Sequence, residues 1–68
     1  MVKYKLNTSV LNDVKLANGL TDFEIYRGAE LSTKTYYGLL KGEGVSASVA
    51  GRLSKALEIE PRHLFKEA

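Results

Sequence analysis

The chain has 68 residues, 44% of them hydrophobic, and a formal net charge of +2 at pH 7. This length suits one small domain, 1–68, and the composition excludes a disordered chain, while no apolar run approaches the ~20 residues that a membrane span needs. With no cysteine and one histidine, the sequence excludes disulfides and cysteine-based zinc sites and is consistent with a cytoplasmic protein.

The first predicted element is an N-terminal strand or arm over residues 1–7. Val2-Lys3-Tyr4-Lys5-Leu6 alternates apolar and charged residues, which is typical of a strand with one apolar face. Because no second strand pattern follows, the strand must pair with its copy in a second subunit or dock on the rest of the chain. We prefer both alternatives to a free basic arm in a DNA groove, because a free arm would leave the apolar face unused.

Helices are predicted for the rest of the chain, and capping residues mark their ends. Asn18-Gly19 is a C-cap signal, and Thr21 with Glu24 three residues later is typical of a capping box. Pro61 suits the first position of a helix. The predicted elements are helix 1 over 9–18, helix 2 over 22–29, helix 3 over 33–41, helix 4 over 47–57, and a short fifth helix over 61–65.

The short connection between helices 2 and 3 carries the functional prediction. Only about three residues, Glu30-Leu31-Ser32, join the two amphipathic helices, which is the spacing of a helix-turn-helix. Tyr36 and Leu39 fall on the inner face of helix 3 at helical spacing. The outer face of helix 3 is then free to enter the major groove while helix 2 crosses the DNA backbone.

The segment GLTDFEIYRGAELSTKTYYGLLKGEG, followed by RLSKALEIEPRHLF, resembles the lambda-repressor-like, Cro-type (XRE class) helix-turn-helix family. The resemblance covers about residues 9–65 and depends on the order and spacing of the pieces together. It implies an all-α fold, a compact bundle of five short helices with a helix-turn-helix at helices 2 and 3. Carried over to this chain, it implies base contacts from Thr33, Lys34, Thr35, Tyr37 and Gly38, and DNA backbone contacts from Arg27, Lys41 and Ser46.

Four residues depart from the family pattern, and one of them is Ala29, a small residue where the family prefers a larger apolar one. Tyr26 stands where a small residue is usual, and Glu30 stands where the turn usually has glycine, so a positive φ there would strain Glu30 by ~1 kcal/mol. Asp22 stands where an amide often meets the DNA backbone, and a carboxylate there repels phosphate. Residues 22–43 carry three cations against four carboxylates. We therefore expect weak, salt-sensitive binding by a monomer.

Taken together, these features predict a sequence-specific transcriptional regulator that acts as a Cro-like repressor on a double-stranded DNA operator, with no cofactor, metal or small-molecule substrate. We expect a homodimer, with residues 2–6 as a contact, that places two recognition helices ~34 Å apart. The alternative is a protein-interaction module, such as an antirepressor or antitoxin-like partner, that uses exposed Phe23 and Tyr37. One histidine, no cysteine and no phosphate-binding glycine loop argue against an enzyme.

Overall fold

Residues 2–68, which the computed structural model describes, form five helices and one two-stranded antiparallel sheet. In chain order the elements are β1 (Tyr4–Leu6), α1 (Thr8–Asn18), α2 (Asp22–Gly28), α3 (Thr33–Leu40), α4 (Ala47–Leu57), α5 (Pro61–Leu64) and β2 (Phe65–Glu67). The prediction of a mostly helical chain with five short helices is confirmed, and the predicted ends of the first four helices agree to within one residue. The all-α class needs one correction, because the chain also contains a small sheet.

Side-chain caps explain why the helices begin where they do. Asn7 caps α1, and Thr21 forms the reciprocal capping box with Glu24 at the start of α2. Ser32 caps α3, and Ser46 caps α4. Each cap satisfies a backbone N–H that has no partner inside its helix, and loss of such a cap typically costs ~1 kcal/mol.

The N-terminal strand pairs within the chain. β1 runs antiparallel to β2, with Leu6 opposite Phe65, and the other edge of Tyr4 makes two backbone hydrogen bonds of 2.8 Å with Val45. The prediction that no second strand exists is therefore wrong. The fifth helix, predicted over 61–65, ends at Leu64, because Phe65 is extended with φ −122° and ψ 158°. Because β1 finds its partners inside the chain, it needs no second subunit, and the homodimer stays a prediction.

One hydrophobic core lies between the helices and the inner face of the sheet, and every element contributes to it. Tyr36 and Leu39, the predicted inner residues of helix 3, are fully buried, whereas Leu16 on α1 is 87% exposed. Leu16 lies outside the apolar stripe of α1, so the helix packs through its other apolar positions. The buried residues of the core are Leu6, Leu11, Ile25, Ala29, Leu31, Tyr36, Leu39, Ala50, Leu53, Leu64 and Phe65.

The connection between α2 and α3 comprises residues 29–32. Leu31 is buried, and its N–H donates to the Tyr26 carbonyl at 2.9 Å. Glu30 has a φ of 57°, so the turn has the positive φ that the family usually gives to glycine. Glutamate does not favour this conformation. The guanidinium of Arg52 on α4 donates to the Glu30 carbonyl at 3.5 Å, a long contact that ties this turn to α4.

Candidate nucleic-acid interface

The two faces of α3 differ in burial. Tyr36 and Leu39 face the core, while Thr33 and Lys34 are exposed to solvent. Thr35 is half-buried, and its hydroxyl accepts a hydrogen bond of 2.9 Å from the hydroxyl of the N-cap residue Ser32. Of the five residues for which base contacts are predicted, three therefore present exposed side chains on this helix: Thr33, Lys34 and Tyr37.

A part-buried hydrogen bond joins α3 to α2. The Tyr36 hydroxyl donates to Asp22 Oδ1 at 2.7 Å, and Lys15 Nζ on α1 donates to the same oxygen at 2.6 Å. The hydrogen bonds from Lys15 and Tyr36 hold the pKa of Asp22 below its ordinary value. Burial raises the pKa of Tyr36, and the hydrogen bond to the Asp22 carboxylate raises it further.

This arrangement changes the expected effect of Asp22 on DNA. Lys15 neutralises the carboxylate that the sequence places at the start of helix 2, so its repulsion of phosphate is weakened. The pair could not be predicted from the sequence, because Lys15 and Asp22 belong to different helices. The only local signal was a lysine one turn before the end of α1, followed by an acidic residue in the first turn of α2.

Gly38 is buried, and the side chain of Glu43 folds back over α3 at this position. A Cβ built on Gly38 would lie 2.8 Å from Glu43 Oε1. The Glu43 carboxylate thus lies where DNA would approach Gly38, and the base contact from Gly38 stays a prediction. Lys34 precedes Gly38 by four residues and Lys41 follows it by three, so both exposed lysines lie on the same side of α3 as this carboxylate.

The predicted DNA backbone contacts come from three different elements. Arg27 on α2 is exposed, and its guanidinium carbon lies 5.5 Å from the centroid of the Phe23 ring, a cation–π arrangement. Lys41 is exposed at the C-terminal end of α3. Ser46 is half-buried, and its hydroxyl accepts from the Val49 N–H at 3.4 Å at the start of α4.

Lys3 is a further cation near this surface, and its position could not be predicted from its place in the sequence. The hydrogen bonds between Tyr4 and Val45 bring β1 alongside the loop that follows α3. As a result, a Cβ built on Gly44 would lie 2.9 Å from Lys3 Cβ. Residues 22–43 alone have a net charge of −1. When Lys3 and Lys15 are added to them, the net charge of the group is +1.

Aromatic side chains cover the junction of α2 and α3. The ring of Tyr26 lies 5.6 Å from Phe23, 5.5 Å from Tyr36 and 6.5 Å from Tyr37, measured between centroids. Tyr36 is buried beneath the group, whereas Phe23 is 52% and Tyr37 41% exposed. We call Phe23, Tyr26 and Tyr37 the aromatic patch. The large residue at position 26 is thus accommodated by packing on other rings.

Within residues 2–68, no group of three or more acidic or histidine side chains is arranged to hold a metal ion. The longest helices there, α1 and α4, have 11 residues each, and no helix is long and apolar enough to cross a bilayer. Comparison with protein-family models, curated proteins and solved structures finds no match for the chain.

Proposed function

We propose that this chain is a sequence-specific DNA-binding transcriptional regulator that acts as a Cro-like repressor, with α2 and α3 as its helix-turn-helix. The observation that carries the proposal is the two-sided character of α3. Tyr36 and Leu39 anchor the helix in the core, while Thr33, Lys34 and Tyr37 project from its outer side. A rigidly held helix with exposed polar and aromatic side chains is what major-groove recognition requires.

Each exposed side chain has a chemical use at a base edge or a phosphate. Lys34 donates to guanine O6 or N7, and the methyl group of Thr33 contacts the thymine methyl. Tyr37 donates to a phosphate or to a base edge. Phosphates are neutralised by Arg27 and Lys41, which fix the register of α3 in the groove.

The proposed mode of action is steric. A protein bound to an operator blocks RNA polymerase or a competing regulator. Because the surface around α3 is close to neutral, one chain has few phosphate contacts and binds DNA weakly. A homodimer that places two α3 helices ~34 Å apart would double those contacts.

Selection from random double-stranded DNA, followed by titration of the selected site at two salt concentrations, tests this proposal. We expect one enriched sequence, an affinity that falls as salt rises, and a loss of ~1–3 kcal/mol with relaxed base preference in Lys34→Ala. Lys55→Ala is the matched control, because it removes an exposed lysine in the last turn of α4. The predicted DNA contact Ser46 lies at the opposite end of that helix. Absence of any enriched sequence, or equal effects of the two variants, would refute the proposal.

The aromatic patch favours a second candidate function, a protein-interaction module of the antirepressor or antitoxin-like kind. Exposed aromatic rings are typical of protein interfaces. Phe23→Ser separates the two candidates, because Phe23 is exposed on α2 and is not among the proposed DNA contacts. Retained DNA selection in this variant supports the regulator. A wild-type chain that selects no DNA, together with lost binding of a co-purified protein in Phe23→Ser, supports the interaction module.

A further inference from the structure

We propose that Glu43 determines base specificity at the α3 surface by accepting a hydrogen bond from the N4 amino group of a cytosine in the major groove. This inference rests on the proposed DNA-binding function and names a base that the surface would select. Glu43 lies after the end of α3 and belongs to none of the predicted DNA contacts, so it is a new assignment.

The backbone path after α3 places the Glu43 carboxylate against this helix. The backbone N–H of Glu43 donates to the Gly38 carbonyl at 3.0 Å, which turns the chain back toward α3. Its Oε1 and carboxyl carbon lie 2.8 Å and 3.2 Å from the site that a Cβ of residue 38 would occupy. The carboxylate therefore lies directly on the helix surface, at the place from which a side chain at position 38 would otherwise project.

Glycine at position 38 makes this placement possible. Glycine in the interior of a helix destabilises the helix relative to alanine, so its presence there calls for a structural reason. The reason here is steric, because any larger residue would collide with the Glu43 carboxylate in its present position. Lys34 and Lys41 lie on the same side of α3 as Gly38, so the surface presents a carboxylate between two cations.

Within residues 2–68, the Glu43 carboxylate forms no ion pair with a lysine or arginine. Among the described residues, the ion pairs join Lys15 to Asp22 and Arg62 to Glu60, and Glu43 takes part in neither. An unpaired carboxylate on a surface that approaches phosphates weakens binding to every sequence unless it meets a hydrogen-bond donor. Base amino groups are the donors available in the major groove.

Cytosine fits the carboxylate better than the other bases do. Guanine O6 and N7 and thymine O4 are acceptors, so they repel a carboxylate. Adenine presents its N6 donor beside the N7 acceptor, whereas cytosine presents N4 as a donor with no acceptor of its own in the major groove. A carboxylate on the same side of α3 as Lys34 and Lys41 therefore selects cytosine close to the base that Lys34 contacts.

The test uses the full chain and the site enriched from random DNA, and it compares that site with versions in which each cytosine is changed to thymine. The wild-type chain should lose about tenfold in affinity at one cytosine, the discrimination typical of a good base contact. Glu43→Ala should reduce this ratio to near one. Gly38→Ala should do the same without altering any charge, because the added Cβ displaces the carboxylate.

Asp13→Asn is the matched control, because Asp13 is exposed on α1 and its replacement changes the net charge by the same amount as Glu43→Ala. It should leave the discrimination unchanged. If Glu43→Ala strengthens binding to all sequences alike and the cytosine preference persists, the carboxylate is only repulsive and the inference is overturned, while the regulator proposal stands. A wild-type chain that selects no sequence at all refutes the proposed function itself, which is a separate outcome.

Discussion

At the scale of single residues, the Asp22 carboxylate links side chains of three helices. One of its oxygens accepts from both Lys15 and Tyr36, so it joins α1, α2 and α3. The side chain is 34% exposed, and solvent screening therefore weakens the Lys15 ion pair. The bond to Tyr36 matters more for the proposed function, because it sets the orientation of α3 and hence of the side chains that would meet DNA.

The pKa shift of Asp22 predicts an acid-sensitive stability. Because its pKa in the folded chain lies below the ordinary value of 3.8, its contribution is present above that pH and is lost as pH falls through the folded pKa. Tyr36→Phe removes one of the two hydrogen bonds that lower the pKa. We expect a loss of ~1 kcal/mol near neutral pH and an acid unfolding midpoint at higher pH, measured by urea unfolding between pH 2 and pH 7.

Tyr37→Phe is the control for this measurement, because Tyr37 is the neighbouring tyrosine on the same helix and its ring is 41% exposed. It should leave both the stability and the acid midpoint unchanged. Equal acid midpoints for Tyr36→Phe and the wild-type chain would show that the hydroxyl of Tyr36 does not stabilise the Asp22 carboxylate.

At the scale of elements, α3 depends on its neighbours because a helix of eight residues is not stable alone. Its N-terminus is capped by Ser32, and its C-terminal end leads into a loop that β1 holds through Tyr4 and Val45. The small sheet therefore does more than satisfy the N-terminal strand. It restrains the segment that carries Glu43 and Ser46, two residues to which we assign roles in DNA binding.

Substitution by alanine should change the stability of the chain in opposite directions at two glycines, one inside a helix and one at a helix end. Gly51 lies inside α4, and a Cβ built there meets no atom within 4 Å. Gly51→Ala should therefore stabilise the chain by ~0.5–1 kcal/mol, because alanine has the higher helix propensity. Gly19 ends α1 with a φ of 62°, which alanine adopts only with strain.

Thermal unfolding of both variants checks this pair. Gly19→Ala should lower the melting temperature, although space is open at that site too, and Gly51→Ala should raise it. A fall in the melting temperature for Gly51→Ala would mean that α4 does not tolerate a side chain on that face.

At the scale of the whole molecule, the cations of the proposed DNA surface come from separate parts of the chain. Lys3 lies just before β1, Arg27 on α2, and Lys34 and Lys41 on and after α3. Only the tertiary fold brings Lys3 to the loop that follows α3. The charge of the proposed DNA surface is therefore a property of the folded chain rather than of the segment 22–43.

Lys3→Ala tests this contribution of the fold. If Lys3 contacts a phosphate, its loss should weaken binding to all DNA sequences by a similar factor and reduce the magnitude of the salt slope by ~1. Lys55→Ala again serves as the control, with an unchanged slope expected. The measurement is a titration of one selected site and one unrelated DNA at several salt concentrations. An unchanged slope in Lys3→Ala would exclude Lys3 from the interface.

The sequence by itself determined the helices, because their ends depend on residues only a few positions apart. The hydrogen bonds between Thr21 and Glu24 mark the start of α2, and the fixed φ of Pro61 marks the start of α5. The inner positions Tyr36 and Leu39 follow from helical spacing. Such signals act within one turn, so they can be read without knowledge of the fold.

Only the tertiary structure decided which distant residues meet. β2 is three residues long, too short for an alternating pattern, and its pairing with β1 joins opposite ends of the chain. The contacts of Lys15 with Asp22, of Glu43 with Gly38 and of Lys3 with Gly44 likewise arise from packing and loop paths. Side-chain contacts across a fold depend on how elements are placed in space, and local propensity carries no information about that placement.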